Sequence, residues 1–90
     1  MAWRIEFDRA AQKELAKLDK PVARRIIRFL RERVAEDPRR VGQALKGSDL
    51  GAFWKYRVGA WRIIAHIDDD VLQVLVLRVG NRREIYKNKR

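Results

Sequence analysis

Lys55 and Arg57 stand two residues apart in a segment that interleaves them with Trp54, Tyr56 and Val58. On a strand, the two cations share one face and the apolar residues the other. By themselves they read as ordinary solvent-facing residues of a half-exposed sheet. Arg62 follows across Gly59-Ala60, a tight-turn pair, and can approach the same face. Arg82 and Arg83 come just after Gly80, and Tyr86 three residues later. Together, Lys55, Arg57, Arg62, Arg82 or Arg83, and Tyr86 suit a phosphate on which negative charge develops, with a ring for a base to stack on. No local Asp/Glu/His set accompanies them, so neither a metal nor another cofactor is expected. Asp68, Asp69 and Asp70 are consecutive, so their side chains diverge; they read as a hairpin turn rather than a cation site.

These residues need a frame. Trp3, Ile5 and Phe7 alternate with Arg4 and Glu6, which predicts a short strand. Asp8 suits a helix N-cap, and Ala11, Leu15 and Leu18 place a helix over Arg9 to Leu18. Asp19-Lys20-Pro21 breaks it, and Pro21 fits the first turn of a second helix. Val22, Ile26, Phe29, Leu30 and Val34 form that helix's apolar stripe, with most of its arginines off it. Those arginines read as a solvated face that can also meet RNA or an acidic partner. Asp37-Pro38 ends the helix. Val41, Ala44 and Leu45 suggest a short helical turn, and three strands follow: Phe53–Val58, Trp61–Ile67 and Val71–Val79. The last is almost wholly apolar, so it is expected to be central and covered on both faces. The expected fold is a single α+β domain, β-α-α-β-β-β, an antiparallel sheet with a helical hairpin packed on one face. His66, the lone histidine, shares the parity of Arg62 and Ile64 near a strand end and is expected to be structural or salt-paired.

Composition bounds the rest. The 90 residues carry 22 Lys and Arg against 12 Asp and Glu, a net charge of +10, enough for one small domain with a modest core. The excess is uneven: residues 38–62 hold +5 and residues 80–90 hold +4, while residues 63–79 are at −2. Two basic segments distant in sequence would form one anion-attracting patch if the fold joins them. The absence of Cys excludes a disulfide scaffold, a thiolate metal site and a cysteine nucleophile, and the single His excludes a histidine acid–base pair within one chain. No apolar run approaches the ~20 residues of a membrane helix. The charged start Met1-Ala2-Trp3-Arg4-Ile5-Glu6 is no secretory signal, so a cytoplasmic protein is expected.

Four stretches carry a resemblance: Ile5 to Leu15, Leu45-Lys46-Gly47, Trp54 to Ile64, and Val79-Gly80-Asn81-Arg82-Arg83-Glu84-Ile85-Tyr86. In this order and spacing the chain resembles the RelE/ParE toxin superfamily, and its RelE branch in particular, over nearly its whole length. The resemblance implies a toxin of a type II toxin–antitoxin system that cleaves mRNA in the ribosomal A site without metal. The RNA 2′-OH would attack, leaving a 2′,3′-cyclic phosphate and a 5′-OH. By position, Lys55, Arg57, Arg62, Arg82 and Tyr86 match the family's functional set. Arg62 would hold the phosphate charge, Arg82 would act at the leaving oxygen, and Tyr86 would stack on or orient the nucleotide. Lys46, Trp61, Arg83 and Lys87 are expected RNA contacts, Trp61 being the tryptophan best placed for a partly exposed ring. Expected partners are a cognate, acidic antitoxin, the ribosome and mRNA, with no membrane.

Two positions depart from the pattern. Arg57 stands where the family has a lysine assigned as general base, and a guanidinium stays charged. Lysine can yield a proton when crowded by cations, so the base role falls to Lys55, with Arg57 as an electrostatic clamp. Asn81 stands where some relatives carry a basic residue. These departures keep two alternatives in view: a ParE-like toxin that inhibits gyrase, and a catalytically weakened toxin that acts by binding.

Overall fold

The computed structural model describes residues 2–45 and 53–81. Alternation at the N-terminus makes β1 (Arg4–Phe7), followed by α1 (Arg9–Ala16) and α2 (Lys20–Phe29). Asp8 occupies the N-cap of α1 with extended backbone, but its side chain makes no capping hydrogen bond. Pro21 sits in the first turn of α2, where its missing N–H has no intrahelical acceptor to lose. Beyond Phe29 the helix loosens into a π turn, Leu30–Val34, with the Ala35 amide donating to the Leu30 carbonyl at 2.8 Å. Ile26, Leu30 and Val34 are fully buried and lie with Ala11 on Tyr56, Val58, Ile63, Ala65, Val74, Val76 and Val79. The apolar stripe thus finds the one surface that can remove it from water.

The remaining strands are β2 (Gln43–Ala44), β3 (Phe53–Val58), β4 (Trp61–Asp68) and β5 (Gln73–Asn81). The sheet order is β1-β5-β4-β3-β2. β3, β4 and β5 form the expected antiparallel meander, but β1 lies parallel to β5, with Arg4 opposite Gln73 and Phe7 opposite Val76. The sheet is therefore mixed. The helical hairpin is the crossover that a parallel neighbour requires.

Three local expectations are corrected. Residues 43–44 form an edge strand, not a helical turn: Gln43 faces Lys55, Ala44 faces Trp54, and the Leu45 amide donates to the Phe53 carbonyl at 2.9 Å. The unpaired edge of β3 overrides a weak local periodicity. The final strand starts at Gln73, not Val71, because Leu72 adopts a left-handed backbone (φ 51°) and turns its carbonyl to the Arg4 amide at 2.9 Å. Val71 and Leu72 are left 53% and 41% exposed on this turn. Finally, β5 is central but buried on one face only; Val74 and Val76 lie under the helices while Leu75 keeps partial exposure.

Past Val76, β5 outruns β1. Glu14 of α1 fills the gap: its carboxylate accepts the Val79 amide at 2.7 Å and pairs with the Arg78 guanidinium at 2.9–3.0 Å. A side chain thus satisfies a strand donor that no neighbouring strand reaches.

Candidate functional site

The β3–β4 hairpin sets the site. Gly59 takes φ 60° at the first turn position, a backbone that a glycine adopts without Cβ strain. The turn then places Arg57 directly opposite Arg62, and Lys55 opposite Ile64. Tyr56 and Val58 alternate with them and are buried under the helices, so Lys55, Arg57 and Arg62 share the opposite face.

Arg62 is only 7% exposed. Among the described residues its guanidinium meets only backbone carbonyls, Gly59 at 3.5 Å and Trp61 at 3.3 Å. Both contacts are long. A guanidinium largely removed from water with no carboxylate beside it is costly for the fold, and an anion brought from outside offsets that cost.

An open groove of about 770 Å³ runs past this face and round the free end of β3. Lys55, Tyr56 and Arg57 of β3, Arg62 of β4, Phe29 and Arg33 from the helix end, and the segment Arg40 to Gln43 line it. Among the described residues, five cations and no carboxylate line it. β2 pairs with only two residues of β3, which leaves the groove open at that edge.

The segment before β2 is pinned. The buried Tyr56 hydroxyl donates to the Pro38 carbonyl at 2.7 Å. Burial pushes the Tyr56 pKa well above the usual tyrosine value, with the Arg39 charge opposing weakly, so Tyr56 stays a neutral donor. Arg39 forks onto Asp69 at 2.9 and 2.7 Å and lies 5.8 Å over the Trp54 ring. That fork raises the Arg39 pKa and lowers that of Asp69. At Gly42 a Cβ would sit 2.5 Å from the Tyr56 ring, so only glycine lets the segment lie this close.

Of the expected site residues, the fold brings Lys55, Arg57 and Arg62 into one groove. Trp61 keeps the partly exposed ring expected of it: it is half-buried, pairs with Val58 and packs against the core, outside the groove lining. Its parity with the buried Ile63 and Ala65 explains this. Lys46, Arg82, Arg83, Tyr86 and Lys87 lie outside the described residues. His66 rests against the Phe53 ring at 5.8 Å, while the turn acids go elsewhere, Asp69 to Arg39 and Asp68 to the Asp70 amide. Arg33 and Arg40 are additional groove cations. The +5 charge of residues 38–62 pointed toward Arg40, but nothing local separates Arg33 from the other arginines of its helix.

A family model describing the ParE toxin of type II toxin–antitoxin systems, parDE, matches residues 5–86. Toxin RelG of Mycobacterium tuberculosis is 31% identical over 87 residues, covering 97% of this chain and 99% of that protein. A chain of a RelBE toxin–antitoxin complex from the same organism superposes with a TM-score of 0.83 at 28% identity, covering 91% of this chain and 100% of that one. The isolated E. coli RelE toxin gives 0.76 at 30% identity, covering 96% and 93%.

Proposed function

The chain belongs to the RelE/ParE superfamily of type II toxin–antitoxin toxins, and from that premise we propose that it is a ribosome-dependent, metal-independent endoribonuclease that cuts mRNA in the A site. The observation that carries this reading is the groove: among the described residues it has five cations without a carboxylate, around an Arg62 with only carbonyl contacts. An RNA phosphate supplies the missing anion. Arg57 and Arg62 stabilise the charge that builds on its oxygens as the adjacent 2′-OH attacks. Lys55, once deprotonated, takes the 2′-OH proton, because the neighbouring guanidinium of Arg57 cannot. The bond to the 5′-oxygen breaks, giving a 2′,3′-cyclic phosphate and a protonated 5′-OH. In this reading Arg82 acts at the leaving oxygen and Tyr86 stacks on or orients the nucleotide. The partner is a cytoplasmic antitoxin with acidic residues, whose association with a +10 chain weakens with salt.

The test is cleavage mapping on programmed ribosomes. Lys55→Ala lowers the single-turnover rate by about 100-fold or more, and Lys55→Arg does not restore it. A full rate in Lys55→Ala sinks the base assignment. The ParE match supports a second reading, a gyrase-inhibiting toxin. Induction that triggers a DNA-damage response with uncut mRNA would select it.

A further inference from the structure

We propose that the groove holds a second phosphate subsite for single-stranded RNA, formed by Arg33 and Arg40, so that the substrate is gripped at a neighbouring nucleotide as well as at the scissile one. The inference rests on the ribonuclease reading and deepens it. Arg33 and Arg40 line the same groove as Lys55, Arg57 and Arg62 but come from other parts of the fold, the π turn after α2 and the segment before β2. Neither has an ion-pair partner among the described residues. Their frame is nevertheless built. The Asp37 amide donates to the Arg33 carbonyl and the Asp37 carboxylate accepts the Arg40 amide, both at 3.3 Å, so that carboxylate holds backbone. The Tyr56–Pro38 bond and the Arg39–Asp69 fork fix the residues just before Arg40. Two cations on a pinned backbone that share one groove with three more repel them, and an anion among them relieves that repulsion. Phe29, edge-on to Tyr56 at 6.4 Å, and Val41 add apolar lining suited to a base. The volume of about 770 Å³ falls within the range of sites that enclose a whole small ligand, well beyond one phosphate.

The experiment measures binding of uncleavable 2′-O-methyl RNAs, a dinucleotide and a pentanucleotide, to the full chain across a salt series. The wild type is expected to bind the pentanucleotide at least about tenfold more tightly. The R33Q/R40Q double variant should lose that gain, weaken the dinucleotide far less than the pentanucleotide, and show a log–log salt slope for the pentanucleotide shallower by about 1.4 for two lost phosphate contacts. The single variants R33Q and R40Q, whose positions are exposed, each lose part of the gain, and thermal unfolding checks that they fold. A length gain that survives in the double variant overturns the proposal, as does its absence in the wild type. RNA binding that is intact while acidic antitoxin peptide binding falls also overturns it, and assigns the pair to the antitoxin. Length-dependent binding without ribosomal cleavage overturns the nuclease reading alone. Cleavage without length dependence overturns this inference alone.

Discussion

Replacing Tyr56 by Phe tests the join between the sheet and the segment before β2. Tyr56 is 1% exposed and its hydroxyl donates to the buried Pro38 carbonyl at 2.7 Å. Tyr56→Phe keeps the ring against Phe29 but leaves that carbonyl without its donor. A buried acceptor left unpaired costs about 1–3 kcal/mol. In a chain of 90 residues each kcal/mol moves Tm by about 4–8 °C, so a fall of at least about 5 °C is expected at neutral pH. Urea unfolding should show a lower midpoint with an unchanged slope. A second arm uses pH. Burial raises the Tyr56 pKa, so the native state holds its proton more tightly than the unfolded chain does. The resulting stability is fully present below the ordinary tyrosine value of about 10 and is lost as pH rises toward the native value. Wild type should therefore lose more stability than Tyr56→Phe above about pH 10. A Tm change under about 2 °C, or identical alkaline losses, would refute the claim that this hydroxyl pins that segment.

Three further outcomes follow from the same geometry. Arg62→Met should abolish RNA cleavage while raising the urea midpoint, since it removes a largely buried cation that has no carboxylate partner among the described residues; a lower midpoint contradicts that account. Glu14→Ala should destabilise by about 1–2 kcal/mol, at the low end for a charge-assisted bond because Glu14 is partly exposed, and should speed hydrogen exchange at the Val79 amide. Asp69→Asn should flatten the acid limb of stability: the Asp69 pKa is lowered by Arg39, so its contribution is present above about pH 4 and lost as pH falls. An unchanged acid limb would show that the Arg39 fork is not formed in solution.

Much of the frame is readable from local pattern. Lys55 and Arg57 against Trp54, Tyr56 and Val58 define the two faces of β3, and Gly59 marks the turn that delivers Arg62. The stripe from Val22 to Val34 locates the helix face that closes the core. What escaped is long-range. No periodicity tells β1 to seek β5 or to run parallel to it, and Gln43–Ala44 is a strand only because β3 offers an edge. Arg33 joins the site from the π turn after α2, a juxtaposition of distant segments.

The pairing of β1 with β5 has a consequence for the chain's own synthesis. Arg4 finds its partner only at Gln73. Until that point is translated, β1 has no ladder, and the helices lack Val74, Val76 and Val79, on which part of their buried face rests. Such non-local contacts form late. A nascent or prematurely terminated chain that stops before β5 can make the β3–β4 hairpin and two helices but cannot close the core. The fold thus makes completion of translation a precondition for an assembled groove.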